Sequence, residues 1–144
     1  RKDFIIDEYQ IIQSRFYEAD ATLLIGRVLS QSKLNKLFKL ATEYNLDVLY
    51  EAHNEEDLDK GVSAGVKIFG INNRDLSTFK VSNKNILDLH NKIPVDSILV
   101  SESGITKSED IADLKKEGIN NFLIGESIMK ASDRLEFIQE LIKS

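Results

Sequence analysis

No cysteine occurs anywhere in the 144 residues. Its absence removes thiol catalysis, disulfide cross-links and thiolate metal sites together, and it fits a reducing compartment. Proline occurs once, as Pro94, ahead of an apolar run that it does not interrupt. Hydrophobic runs are short. None approaches the ~20 residues that cross a bilayer as a helix, and the opening residues do not read as a signal peptide. Basic charge is in deficit as well: 19 Lys and Arg against 24 Asp and Glu leave a net charge of -5. The lysines are scattered among acids, which argues against a nucleic-acid partner. The two histidines, His53 and His90, stand in no acidic constellation, so no metal site is expected and both read as structural. The expected setting is the cytoplasm, with neither membrane nor nucleic acid as partner.

What the chain does have is a strict alternation. With 42% apolar residues, a single domain over residues 1–144 can bury a genuine core. Apolar runs of strand length recur at 3–6, 21–25, 48–52, 66–71, 97–100 and 121–124. They are continuous rather than alternating, as parallel strands covered on both faces require. Helical signals lie between them. Leu34, Leu37, Leu40, Ala41 and Tyr44 repeat at helical spacing. Asn54 before Glu55-Glu56-Asp57 reads as an N-cap, Thr106-Lys107-Ser108-Glu109 as a capping box, and a final helix starts near residues 133–136. Gly65 and Gly118 sit where helices should end, and each is followed by a strand ending at a further glycine, Gly70 or Gly125. Repeats of roughly 20–30 residues, each one βα unit, suit a barrel or a doubly wound sheet. Six units are expected.

The last two junctions point to chemistry. Val100-Ser101-Glu102-Ser103-Gly104-Ile105 and Leu123-Ile124-Gly125-Glu126-Ser127 each run an apolar strand into a glycine and on toward a helix start. Such a junction turns unpaired backbone N–H groups outward, and a helix dipole adds partial positive charge. Two of them from neighbouring strands form a cup for a dianion, the phosphate site of the last two strands of a (β/α)8 TIM barrel. A complete barrel usually needs ~250 residues. Six units therefore read as a partial α/β barrel, strands three to eight, with the N-terminal two βα units absent and the chain opening directly in a strand.

In their order and spacing, the motifs resemble the indole-3-glycerol phosphate synthase family from its third strand onward. They are Arg1-Lys2-Asp3-Phe4-Ile5-Ile6-Asp7, Leu23-Leu24-Ile25, Glu51-Ala52-His53, Gly70-Ile71-Asn72-Asn73-Arg74-Asp75-Leu76, Ser101-Glu102-Ser103-Gly104-Ile105 and Ile124-Gly125-Glu126-Ser127-Ile128-Met129. The resemblance implies a cytoplasmic lyase of tryptophan biosynthesis. It would convert 1-(2-carboxyphenylamino)-1-deoxyribulose 5-phosphate to indole-3-glycerol phosphate with loss of CO2 and water, using no cofactor and no metal.

The resemblance also implies roles. Lys2 matches the general-acid lysine, and an ammonium in a partly desolvated pocket has a lowered pKa. Glu51 matches the glutamate acid/base at a strand end, where catalytic residues of this fold collect. Asn72 and Glu102 complete the catalytic set. A buried glutamate at a strand end needs a charged partner, for which Lys2 is the candidate. Phe4 and Leu23 match apolar positions against the anthranilate ring, Arg74 lines the pocket or orients carboxylates, and Ser103 meets substrate. Phosphate binding falls to Ser103, Gly104, Gly125 and Glu126 through backbone N–H groups, with the Glu126 side chain turned away.

Departures from the family pattern set the alternatives. The lysine and glutamate of the family's first strand have no counterpart here, so low or no activity is expected of this chain alone. Glu18 stands where relatives usually place glycine. One alternative is a catalytically incomplete barrel piece that self-associates through open strand edges. Another is a different phosphate-binding barrel, an isomerase or cyclase, which would carry another catalytic set.

Overall fold

The computed structural model of the chain describes residues 1–74 and 82–144. Five parallel strands form one sheet in chain order: β1 (Ala21–Ile25), β2 (Asp47–Ala52), β3 (Ile68–Asn72), β4 (Ile98–Glu102) and β5 (Phe122–Leu123). Between and around them run α1 (Glu8–Phe16), α2 (Gln31–Glu43), α3 (Glu55–Ala64), α4 (Lys84–Leu89), α5 (Ser108–Lys116), α6 (Glu126–Lys130) and α7 (Arg134–Lys143). Each new strand is laid beside the previous one, the order in which a (β/α)8 barrel is built. Among the described residues no helix is long and apolar enough to cross a membrane.

Strand register separates two faces. Leu24, Tyr50 and Phe69 lie side by side across the sheet and are fully buried beneath the helices. The rings of Tyr50 and Phe69 meet edge-on at 6.0 Å, and the Tyr50 hydroxyl donates to the Asp57 carbonyl of α3 at 2.7 Å. That bond lets a buried tyrosine satisfy its polar end. The other face carries Ile25, Glu51, Gly70 and Val100 in one row and Asn72, Glu102 and Leu123 in the next. Glu51, Asn72 and Glu102 thus share the face away from the helices.

The sixth expected strand does not form. Residue 1 pairs with the edge of β1, the Leu23 N–H donating to the Arg1 carbonyl at 3.1 Å. The next backbone groups are then taken by side chains. Asp3 accepts the Phe4 N–H at 2.8 Å, and Gln10 accepts those of Ile6 and Asp7 at 2.8 and 3.0 Å while donating to the Phe4 carbonyl at 2.9 Å. With its N–H groups committed to α1, this segment cannot continue a ladder. Only Ile5 of its apolar run is buried.

Four helices end in the same way. Residues Glu18, Asn45, Gly65 and Gly118 adopt φ of 58°, 54°, 81° and 82° after α1, α2, α3 and α5. In each case the left-handed residue bonds back to the carbonyl three before it, and the next residue to the one five before it, as in Ala19 to Ser14 and Val66 to Gly61. This is the Schellman ending, and the residue that follows is apolar: Ala19, Leu46, Val66 or Ile119. The motif explains why β3 starts at Ile68 rather than 66. The expected capping box at Thr106 is also displaced by one. Lys107 is the N-cap of α5, and Asp110, not Glu109, accepts the Thr106 and Lys107 N–H groups at 2.8 and 3.1 Å. Asn54 and Asp133 cap α3 and α7 as expected.

Glu18 is the costly member of the set, because a β-carbon in the left-handed region crowds the following carbonyl oxygen. Its side chain is exposed, so nothing buried is lost by removing it. Replacing Glu18 with Gly should raise unfolding free energy by roughly 0.5–1 kcal/mol in urea denaturation. A lower midpoint would contradict this account of the α1 ending.

Candidate active site

The carboxyl-terminal ends of β2, β3 and β4 bring Glu51, Asn72 and Glu102 together. Lys2 reaches them from the segment anchored on β1. Its Nζ lies 2.9 Å from Glu102 Oε2 and 3.4 Å from Glu51 Oε2. Asn72 Nδ2 donates to Glu51 Oε1 at 2.9 Å. Both carboxylates are almost wholly buried, whereas the Lys2 side chain keeps 51% of its exposure. Gly70 makes the arrangement possible, since a β-carbon there would stand 1.8 Å from Glu102 Oε1. The partner expected for the buried glutamate is therefore Lys2, at direct ion-pair distance.

The electrostatics run partly against expectation. Burial, followed by the charge of Glu51, pushes the Glu102 carboxyl above its ordinary value, and Lys2 only partly offsets this. For Lys2, burial pulls the ammonium down, but the hydrogen bonds and charges of Glu102 and Glu51 together outweigh it and the net direction is up. The expected lowering is overturned because the ammonium is half solvated and has two acidic partners. It rests as a firmly charged donor.

Beside this cluster opens a cleft of about 860 Å³, lined among others by Lys2, Asn72, Glu102, Ser103, Gly125 and Glu126. That volume suits a small phosphorylated molecule. Its far wall is made by two loops. Ser103 and Gly104 both take positive φ, 63° and 86°, which folds the backbone sharply after β4. Gly125 is the N-cap of α6. The Ser127 hydroxyl donates to the Ile105 carbonyl and ties the loops together. Because α6 has only five residues, its dipole is slight, and any anion here would be held by loop N–H groups. The Glu126 carboxylate pairs with Arg74 and Lys130, which hold it below its ordinary value, the Lys130 bond first. Arg74 thus faces a neighbouring carboxylate.

Phe4 and Leu23 do not line the cleft. Phe4 is 58% exposed, and Leu23 is buried on β1 opposite Leu49. Asp75 and Leu76 of the motif after β3 lie outside the described residues. His90 Nδ1 lies 2.9 Å from the Leu87 carbonyl at the end of α4. His53, read as structural, has its Nε2 3.3 Å from Glu51 Oε1. Glu51 and His53 are two apart at a strand end, so the spacing itself could have joined them. Asn73 was also missed as an organiser. Its side chain donates to Ser101 Oγ and to the Ser103 carbonyl at 3.2 and 3.3 Å, fixing the turn after β4 from β3.

A family model described as indole-3-glycerol phosphate synthase matches residues 1–141. A relative of that name from Caldanaerobacter subterraneus subsp. tengcongensis is 50% identical over 143 residues, covering 99% of this chain and 55% of the relative. Another, from Lachnoclostridium phytofermentans, is 43% identical over 141 residues, covering 98% and 52%. The chain spans about half the length of the curated relatives it matches. Among solved structures, 3-hexulose-6-phosphate synthase from Salmonella typhimurium aligns with a TM-score of 0.76 at 16% identity, over 96% of this chain and 68% of that one. The tryptophan synthase A-subunit of Pyrococcus furiosus aligns at 0.71 and 16%, over 95% and 60%. At such identity these likenesses speak to the fold alone, a partial TIM barrel.

The raised carboxyl of Glu102 has a consequence for stability. Its folded value stands above the ordinary 4.5, so the fold favours the neutral form. The stability linked to it is complete below the ordinary value and is lost as pH rises through the folded one. Glutamine does not titrate. The stability of Glu102→Gln relative to the parent should therefore rise as pH is taken from about 4 to about 8, measured by thermal denaturation. A relative stability that falls over that range would show that Lys2 repays the buried charge.

Proposed function

Because the chain belongs to the indole-3-glycerol phosphate synthase family, we propose that its strand-end cluster is acid–base machinery of that lyase. The substrate is 1-(2-carboxyphenylamino)-1-deoxyribulose 5-phosphate. The observation that carries this reading is one ammonium, Lys2, within 3.4 Å of two buried carboxylates beside a cleft of about 860 Å³.

In this reading the phosphate sits against the loops of Ser103–Gly104 and Gly125–Glu126, with the rest of the substrate directed toward Lys2 and Glu102. Lys2 leaves the carboxylates to donate to the ketone oxygen as the aromatic carbon bonds to the ketone carbon. Carbon dioxide then departs from that ring carbon, which restores aromaticity. The hydroxyl formed from the ketone leaves as water, with Glu51 as the acid/base of that step. Glu102 anchors Lys2 between turnovers, and Asn72 holds Glu51 and meets substrate hydroxyls. Residues 1–144 alone offer no counterpart to the lysine and glutamate of the family's first strand, so by themselves they turn over slowly or not at all. Such a biosynthetic enzyme works in the cytoplasm.

The test is formation of indole-3-glycerol phosphate, followed by indole fluorescence, in the protein as its organism makes it. Lys2→Ala and Glu51→Gln should each lower kcat ~10²-fold or more, the usual scale for general acid–base groups. Near-normal rates in both would refute the assigned roles.

A second reading concerns the 144-residue polypeptide as a partner for itself. Among the described residues the outer edge of β1 is met only by residue 1 and β5 pairs only with β4, and Tyr9, Phe16 and Tyr17 are exposed around α1. Open parallel edges beside apolar surface favour intermolecular pairing. Sedimentation velocity should show association that grows with concentration. A strictly monomeric species would rule this out.

A further inference from the structure

Asn73 lies just past β3, is 3% exposed and does not line the cleft. Every polar group it owns is nevertheless committed to a neighbour. Its backbone N–H donates to the Glu102 carbonyl at 2.9 Å, and its carbonyl accepts the Ser82 N–H at 3.0 Å. Its side-chain Nδ2 donates to Ser101 Oγ at 3.2 Å and to the Ser103 carbonyl at 3.3 Å. Its Oδ1 accepts the Ile86 N–H in the first turn of α4 at 3.1 Å, where the N-cap residue Asn83 makes no side-chain bond. Such completeness is what a buried amide needs. The bond to Ser103 stands apart. Ser103 holds a φ of 63°, a conformation that a side chain resists, and Gly104 follows at 86°.

A trans peptide is planar, so its C=O and the N–H of the next residue point in opposite directions. With the Ser103 carbonyl drawn to Asn73, the Gly104 N–H faces away from Asn73. Among the described residues no group takes that N–H, and Ser103 and Gly104 both line the cleft. We propose that Asn73 is a positioning residue for the anion wall of the cleft: by holding the Ser103 carbonyl it keeps the turn left-handed and aims the Gly104 N–H at the phosphate. This rests on the reading that the phosphate lies against these loops, and it deepens that reading. Released from Asn73, Ser103 would relax toward negative φ. The peptide plane would rotate with it and carry the Gly104 N–H out of the concavity. The same amide meets the first turn of α4, so one side chain holds both the loop after β3 and the turn after β4.

Asn73→Asp removes this grip selectively. The ionised carboxylate still accepts the Ile86 N–H, and the Ser101 hydroxyl can turn to donate to it, but it opposes the Ser103 carbonyl. The one-bond Cα–Hα coupling of Ser103 separates positive from negative φ, and in this variant it should move toward its negative-φ value. An unchanged coupling in the folded variant overturns the proposal. Inorganic phosphate is the ligand probe, followed through the amide resonance of Gly104. Its affinity should fall roughly 10-fold, the scale of one residue's resistance to the left-handed region. Adding Ser103→Gly, which takes positive φ unaided, should recover most of that loss. A folded double variant that binds no better than Asn73→Asp overturns the proposal. If phosphate leaves Gly104 unmoved in the unaltered chain, the phosphate reading fails, and the Ser103 coupling still decides whether Asn73 holds the turn. Should Asn73→Asp not fold, the unaltered chain decides. Positive φ at Ser103 with a slowly exchanging Asn73 amide upholds the proposal. Negative φ, or an amide exchanging as fast as that of exposed Asn35, overturns it.

Discussion

One ammonium serves two buried carboxylates, and most of the architecture can be understood as what makes that tolerable. Removing a carboxylate from water costs several kcal/mol unless charge and hydrogen bonds replace the lost hydration. Glu51 and Glu102 come from different strands, and Lys2 from a segment whose backbone meets β1 at residue 1. Asn72, from the strand between, meets the oxygen of Glu51 that Lys2 does not. Gly70 leaves room for Glu102 where any side chain would collide with it. The compensation is incomplete, and the raised value of Glu102 is its signature. Groups poised in this way are what acid–base chemistry needs, and they are bought with stability elsewhere in the fold.

That stability comes from the opposite face. Tyr50 and Phe69 pack there against α3, with Gly61 admitting the Tyr50 ring and Gly26 its hydroxyl end. Because successive strand residues alternate sides, the same strand that seats Tyr50 in the dry layer delivers Glu51 to the site. A one-residue slip of β2 would exchange them, burying a carboxylate under helices and turning an aromatic ring into the cleft. Register is therefore fixed from both faces at once.

Much of this was legible from sequence because it depends on periodicity and on residue type. Continuous apolar runs marked β1, β2 and β4, and glycine marked two of the four left-handed helix endings. Of the other two, Asn45 is a residue type that tolerates the left-handed region, and Glu18 is noticed only because it stands where relatives usually place glycine. The run at 3–6 looked like a strand because it is apolar. Strand formation also needs free N–H groups on a neighbour-facing edge, and Asp3 and Gln10 had already claimed them. The strand-end carboxylates and Lys2 were found from motif order. The direction of the Lys2 shift was not, since it turns on the distance to two acids far away in sequence. Asn73 went unread as an organiser for the same reason: its partners, Ser101 and Ser103, lie far away in sequence, on and just after β4.

The loops at the far end of the cleft refine what a glycine after a strand means. A helix dipole is a weak explanation when the helix is five residues long. What remains is conformation. Ser103 and Gly104 in succession turn the backbone left-handed, and such turns direct neighbouring N–H groups into one concavity. For Ser103 this costs of order 1–2 kcal/mol, a penalty that persists only where the surroundings enforce it. Here Asn73 grips the Ser103 carbonyl from β3 while Ser127 grips the Ile105 carbonyl from α6. Side chains from two distant parts of the chain therefore hold one strained turn. A turn fixed so firmly has little ordering entropy left to lose, whatever comes to rest against it.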